Sequence, residues 1–194
     1  MDKTSQNILI GSILGDGHLD KPTKNGSRWI LKYDDKCLEY LLWLHDKLLG
    51  LESSEVKPKK NYHQHYFSTK PSLEVGRFRR IFYLDGKKIV PEEIGNWLVD
   101  PLSLAVWYMD DGNLDRREKY HLNANIATYC FSYKECELLV KTLKSNFEVE
   151  ARVHKCTMRG VRRYRLYIVS RSMDRFIKLV GPYIQPCLAY KIAL

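Results

Sequence analysis

The sequence predicts an α+β protein made of two pseudo-symmetric copies of one unit, ordered helix, two strands, helix, two strands, helix. Three observations carry this. Residues 4–17, TSQNILIGSILGDG, and residues 99–112, VDPLSLAVWYMDDG, are apolar runs of helical length that both end in Asp-Gly, close to half a chain apart. The same succession of turn, strand-like and helical segments follows each run. Each half then adds a basic, aromatic pair of strand-like segments and closes on a helix. The division falls at residues 1–98 and 99–194.

The elements follow in order. In the first half, residues 4–17 open with capping-type residues, and a polar stretch from Lys21 to Gly26 marks a turn before the strand-like SRWILKY (27–33). CLEYLLWLHDKLLG (37–50) has the apolar spacing of a helix closed by Gly50, with Trp43 on its core face. EVKPKKNYHQHYFSTK (55–70) reads as a strand pair and LEVGRFRRIFYL (73–84) as the closing helix. In the second half, Asp100 can cap and Pro101 suits the first helical position. HLNANIATYCF (121–131) alternates polar and apolar, SYKECELLVKTLKSNF (132–147) is helical, VEARVHKCTMRGVRRYRLYIVS (149–170) is a strand pair, and RSMDRFIKLVGPYI (171–184) closes the unit.

The 194 residues are 44% hydrophobic, enough for a real core, and carry 32 Lys+Arg against 23 Asp+Glu, a net charge of +9 that points toward a polyanion without deciding the matter. The five cysteines, Cys37, Cys130, Cys136, Cys156 and Cys187, are odd in number and form no C-x-x-C pair, which argues against a disulfide scaffold or a zinc site and suits a reducing compartment. Cys130 and Cys136 read as packing residues. His63 and His65 lack a third ligand at useful spacing and read as strand residues facing a partner or water. No apolar run is long enough to span a bilayer, and the start lacks a signal-peptide pattern. The expectation is an intracellular protein without a membrane partner, in a bacterial or archaeal cytoplasm or made inside an organelle, where no import signal is needed.

The chemistry should sit at the two Asp-Gly ends. Leu9–Leu14 and Leu104–Met109 are apolar almost all round, as for interior helices, and Gly11 and Gly15 lie on one face where another backbone can approach. If the two helices pair on the pseudo-twofold axis, Asp16 and Asp111 converge at C-terminal ends that already carry partial negative charge. Such carboxylates repel unless a cation lies among them, and a hard cation, magnesium or calcium, fits oxygen donors. For either helix alone, an Asp-Gly turn without chemistry is the simpler account. The repetition favours the site.

LIGSILGDG (9–17) and LAVWYMDDG (104–112) resemble the two copies of the LAGLIDADG motif, and LSLAVWYMDDGN (102–113) is similar to the single-chain, two-motif branch of those homing endonucleases. The similarity extends to GKKIVP (86–91) and PYIQPCLAYKI (182–192). The resemblance implies a central pair of motif helices, a saddle of antiparallel β-sheets over the DNA major groove, and hydrolysis of both strands across the minor groove. It further implies metal binding by Asp16 and Asp111, with the backbone carbonyls of Gly15 and Asp110 as additional ligands. Magnesium is the expected cofactor, with manganese able to substitute and calcium expected to bind. By motif, Lys88 and Lys191 correspond to the lysines beside the two active sites, where they position or polarise water and screen charge. Val106 departs from the glycine in the motif name and hints at asymmetric helix packing.

The strand pairs supply a DNA-facing surface. Arg152, His154, Lys155, Arg159, Arg162, Arg163 and Arg165 fall in a stretch without an acidic residue, and alternation puts Arg163, Arg165 and Tyr167 on one face with Tyr164, Leu166 and Ile168 on the other. Lys57, Lys59, Lys60, His63, His65 and Lys70 repeat the theme, joined by Lys21, Lys24, Arg28 and Lys32 and by Arg116, Arg117, Lys119, His121, Asn123 and Asn125. Such ribbons fit the major groove, where Arg reads guanine and Asn adenine, while phosphate contacts give salt-dependent affinity. The partner expected is a long, asymmetric duplex DNA site bound by a monomer. Two other readings stand beside it: an RNA maturase acting on its host intron RNA, and a DNA-binding regulator that does not cut.

Overall fold

The computed structural model describes residues 1–48, 50–117 and 120–192. Its first half runs α1 (Lys3–Leu14), β1 (His18–Leu19), β2 (Trp29–Asp34), α2 (Leu38–Lys47), β3 (Lys57–Pro58), β4 (Gln64–Ser68) and α3 (Leu73–Phe82). A hairpin, β5 (Tyr83–Leu84) and β6 (Lys87–Lys88), and the short α4 (Ile94–Trp97) lead to the second half. That half runs α5 (Pro101–Asp111), β7 (Gly112–Arg117), β8 (Tyr120–Ala127), α6 (Tyr133–Phe147), β9 (Ala151–Met158), β10 (Val161–Ile168) and α7 (Met173–Val180), followed by 3-10 turns through Lys191. The predicted unit recurs in both halves. Among the described residues each half forms one four-stranded antiparallel sheet, in the same order: β1-β2-β4-β3 and β7-β8-β10-β9.

Local chemistry explains the helix starts. The Asp100 side chain accepts the Leu102 amide with Pro101 in the first turn, as the sequence predicts. α1 begins earlier than its Thr4-Ser5 start suggests, because the Asp2 carboxylate caps Ser5. Ser132 and Glu135 form a reciprocal capping box on α6. The hairpin before α5 turns on Asp85 and Gly86, both at positive φ, the requirement of a two-residue type I′ turn.

α1 and α5 pack against each other at the centre with little space between backbones. A Cβ on Gly11 would lie 2.3 Å from the Ser103 carbonyl oxygen and 2.8 Å from Val106 Cβ. Val106 thus occupies the opposing half of the contact, and the close approach there depends on Gly11. Ile8, Leu9, Ile13, Leu104, Trp107 and Tyr108 are buried around this pair and join both sheets into one core. The Trp29 indole, in β2, donates to the Ser12 hydroxyl of α1 at 3.0 Å and ties the first sheet to its helix.

Sheet register fixes which face each strand residue presents. Gly112, Ile126, Leu166 and Val153 lie opposite one another on the core side, while Asn113, Asn125, Tyr167 and Arg152 form a row across the other face. In the first sheet Leu31 pairs Phe67 in the core, so Lys32, Tyr66 and Lys57 share the outer face. Among the described residues, no helix is long and apolar enough to cross a membrane.

Candidate active site and nucleic-acid interface

The two motif ends do not finish alike. α1 leaves helical geometry at Gly15 (φ −97°, ψ −131°), so Asp16 stands exposed in the turn that follows. α5 stays helical through Asp111, which is half-buried, and the chain turns extended only at Gly112. The Asp16 amide consequently has no helical partner: Ser12 offers its carbonyl to Gly17 instead, at 2.8 Å. Asp110, from the other half, takes the Asp16 amide on Oδ2 at 3.0 Å.

Asp110 collects two further donors. The Tyr33 and Tyr40 hydroxyls, from β2 and α2, both donate to its Oδ1, at 2.7 and 3.0 Å. The carboxyl reaches them by lying over Gly15, where a Cβ would come 2.5 Å from Asp110 Cβ and Oδ2. Gly15 is required here by a neighbour's side chain, its own φ being ordinary. Burial, reinforced by the charge of Asp16, raises Asp110 to about 8. Asp111 rises to about 7, again through burial first and Asp16 second, although Lys88 and Lys191 pull it back. The carboxylates of the two motifs are therefore near enough to feel each other.

Lys88 and Lys191 approach the two helix ends in parallel fashion. Lys88 Nζ, delivered by the β5–β6 hairpin, donates to the Gly15 carbonyl at 2.5 Å. Lys191 Nζ, delivered by the last 3-10 turn, donates to the Met109 carbonyl at 2.5 Å and the Asp110 carbonyl at 3.3 Å. Tyr108, inside α5, pins that turn by donating its hydroxyl to the Lys191 carbonyl at 2.8 Å. Burial lowers the pKa of both lysines. Lys87, the neighbour easiest to confuse with Lys88, is exposed.

The Gly15 and Asp110 carbonyls, expected as further metal ligands, each accept a lysine ammonium, which brings positive charge to the negative helix ends. Among the described residues no group of three or more His, Cys, Asp and Glu side chains is arranged to hold a metal. The motif carboxylates form an oxygen-only pair, Asp16 and Asp111, with Asp111 pushed up in spite of the two lysines beside it. That donor set fits a hard divalent cation that takes one or two carboxylates and completes its shell with phosphate and water. Asp16, Tyr33, Tyr40, Asp110 and Lys191 also line a cavity of about 640 Å³.

The interface residues divide by location. Arg152, Lys155, Arg159, Arg162 and Arg163 are exposed, Arg163 also donating to the Tyr129 carbonyl, and His154 stacks on Tyr167 with ring centroids 4.6 Å apart. Arg165 and Tyr167 are half-buried on the outward face. In the first half Lys21, Lys24, Lys32, Lys57 and Lys60 are exposed and Lys59 is half-buried against Tyr62. Arg28 is held by Asp20 at 2.6 Å and Lys70 by Glu52. Asn123 and Asn125 are 6% and 7% exposed, and Asn123 accepts the Ser170 hydroxyl, so the first is engaged inside the protein. Arg116, Arg117 and His121 lie in β7 and β8, and Lys119 lies outside the described residues.

Three sequence readings need correction. His65 pairs opposite Tyr33, on the core-side parity of β4, and contacts the Asp35 carboxylate at 2.9 Å; it does not face outward with Lys32. His63 lies in the turn before β4 and reaches the same Asp35 at 3.6 Å. Cys130 is exposed and sits near Lys88 and Asp111, whereas Cys136 is buried and donates to Thr128, as a packing residue should. Tyr33, Tyr40, Tyr66 and Asn113 were not among the expected site residues. The two-residue period of a strand, counted from Phe67 as a core residue, is a usable signal for Tyr66 on the other face.

Comparison with known proteins agrees with this architecture. The cytochrome b mRNA maturase bI2 of Debaryomyces hansenii is 29% identical over 206 residues, covering 99% of this chain and 74% of that protein. The maturase of the same name from Saccharomyces cerevisiae is also 29% identical, and Protein RecA of Mycobacterium gastri is 31% identical; each alignment covers 95% of this chain and 46% of the relative. The chain thus spans about three quarters of one curated relative and under half of the other two. Among solved structures, the homing endonuclease I-WcaI bound to its DNA recognition sequence superposes with a TM-score of 0.81, covering 100% of this chain and 87% of that one at 23% identity. I-DmoI in complex with DNA and Mn gives 0.58 at 16% identity, covering 94% and 98%. At these identities the structures show the shared fold. The family model described as the LAGLIDADG DNA endonuclease family matches residues 6–176, nearly the whole length, and the chain belongs to that family.

Proposed function

We propose that the chain is a site-specific double-strand DNA endonuclease that hydrolyses phosphodiesters in a long, non-palindromic duplex with a divalent metal, magnesium in the cell. One observation carries this reading: Asp16 and Asp111, from corresponding positions of two repeats, converge at paired helix ends with a lysine beside each, Lys88 half-buried and Lys191 buried. A structural Asp-Gly turn has no use for that set. The two halves differ in sequence on equivalent sheets, so the target they recognise is asymmetric, and one monomer is sufficient to span it.

Asp16 and Asp111 would hold the metal. Bound there, it would polarise the phosphodiester and lower the pKa of an attacking water. The rest falls to the chain. Lys88 and Lys191 hold the last carbonyls of the motif helices and place positive charge where phosphate oxygens arrive. The outward rows of Arg and Lys fix the duplex by its phosphates, with Tyr167 and Asn125 at groove level. Cleavage of a randomised duplex library with magnesium tests the reading. Wild type should enrich one long asymmetric site, and Asp16→Asn or Asp111→Asn should abolish double-strand cutting while binding persists. A wild type that binds but never cuts, with magnesium or manganese, would remove the endonuclease reading.

The maturase relatives favour a second reading, in which the same basic surface assists folding of a host intron RNA. Competition between duplex target and structured intron RNA separates the two: the maturase requires the RNA to win, with splicing assistance that survives Asp16→Asn.

A further inference from the structure

We propose that the Asp110 carboxyl is a positioning residue for Asp16 alone, so that the two active sites depend on it unequally. The strand-specific part of this proposal rests on the endonuclease reading; the positioning part does not. At the second motif, Asp111 belongs to a continuing helix, and the Gly112 amide keeps its helical partner, the Tyr108 carbonyl. At the first motif the helix stops before Asp16, whose amide is held at 3.0 Å by a side chain from the opposite half. No equivalent side chain can act in reverse, because the residue matching Asp110 in the first motif is Gly15. Pseudo-symmetry is therefore broken at this position as well, and the site in the exposed turn is the one needing external support.

The chemistry of the network calls for a carboxyl. Three donors converge on Asp110, two hydroxyls on Oδ1 and one amide on Oδ2. Asparagine could keep its oxygen on the Asp16 amide and turn its amino group to the tyrosine hydroxyls, which can also accept, so Asp110→Ala, which removes every acceptor, is the decisive variant. Gly15→Ala acts on the same contact from the other side, because its methyl would intrude on Asp110 Cβ and Oδ2. Tyr40→Phe removes one anchor of Asp110 and retains the ring.

Two measurements on the full chain test this. In amide hydrogen exchange, the Asp16 amide should be protected in wild type despite its exposure and lose at least about tenfold of that protection in Asp110→Ala, while the Asp111 amide is unchanged. Unaltered Asp16 protection, or equal loss at both, would overturn the proposal. In single-turnover cleavage read strand by strand, Asp110→Ala should slow one strand on the order of 100-fold and leave the other near wild type, accumulating nicked duplex. Gly15→Ala should spare the same strand, and Tyr40→Phe should show a weaker bias of the same sense. Equal slowing of both strands would overturn the unequal dependence. If wild type cuts nothing, the endonuclease reading fails and the exchange experiment decides the positioning claim by itself.

Discussion

The Lys88 ammonium lies 2.5 Å from the Gly15 carbonyl oxygen, one residue before Asp16, and the hairpin that carries it is set by an Asp85-Gly86 turn. A half-buried cation at the end of α1 offsets the helix dipole and lies beside the carboxylate expected to bind metal. Lys88→Met keeps the length and apolar stem but removes the charge. We expect cleavage to fall on the order of 100-fold with duplex affinity little changed, since the lysine acts on developing charge more than on docking. Single-turnover rates beside gel-shift binding check this, and an unchanged rate would rule out a part in the chemistry.

At Gly11 the backbone of α1 lies close against α5. Because an added methyl would meet the Ser103 carbonyl oxygen at 2.3 Å and Val106 Cβ at 2.8 Å, Gly11→Ala must push the helices apart. The expected cost is about 1–3 kcal/mol of overpacking strain. Urea unfolding should show a lower midpoint with an unchanged slope. A midpoint equal to wild type would mean that the helices relax freely.

How much of this could be read from the residues follows from what each signal depends on. The paired helices were legible because LIGSILG and LAVWYM are apolar all round and occur twice, and Lys88 and Lys191 through the segments GKKIVP and LAYKI that the family resemblance covers. The role of Asp110 was not legible. Its carboxyl is defined by Tyr33 and Tyr40, some 70 residues away in the other half, and no local pattern distinguishes it from Asp111 beside it. His65 was assigned to the wrong face because its basic neighbours outweighed the alternation about Phe67. The unequal helix endings likewise turn on one backbone conformation at Gly15, which an Asp-Gly pair does not specify.

Two serines of the central helices should behave oppositely. Ser12 accepts the buried Trp29 indole N–H at 3.0 Å, so Ser12→Ala leaves that donor unsatisfied and should cost about 1–3 kcal/mol. Ser103 is fully buried, and its hydroxyl has no hydrogen-bond partner among the described residues, so Ser103→Ala should be neutral or stabilising. Thermal or urea unfolding of the pair checks the difference. Equal losses would show that volume, not hydrogen bonding, governs both positions.

Arg152 is exposed on β9 in the row with Tyr167 and Asn125. If it contacts a phosphate, Arg152→Ala should weaken duplex binding uniformly across sequences and reduce the slope of log K against log salt by about 1. Loss of discrimination at one base pair with an unchanged slope would instead identify a base-reading contact. Titrating target and unrelated duplexes over a range of potassium chloride distinguishes the two.

Glu150 lies just before β9 and binds Lys144 at 2.6 Å and Arg171, contacts that hold its carboxyl near 2, well below the ordinary 4.5. The native carboxylate is therefore favoured over the unfolded one. Its contribution is complete above about 4.5 and is lost as pH falls toward about 2, because the unfolded chain takes up the proton first. The group is half-exposed and its two partners are exposed, so added salt should shrink the effect. Unfolding midpoints measured between these limits should fall more steeply for wild type than for Glu150→Gln, and the gap should narrow in high salt. Parallel curves at low salt would mean that Lys144 and Arg171 give the carboxylate no net preference for the folded state.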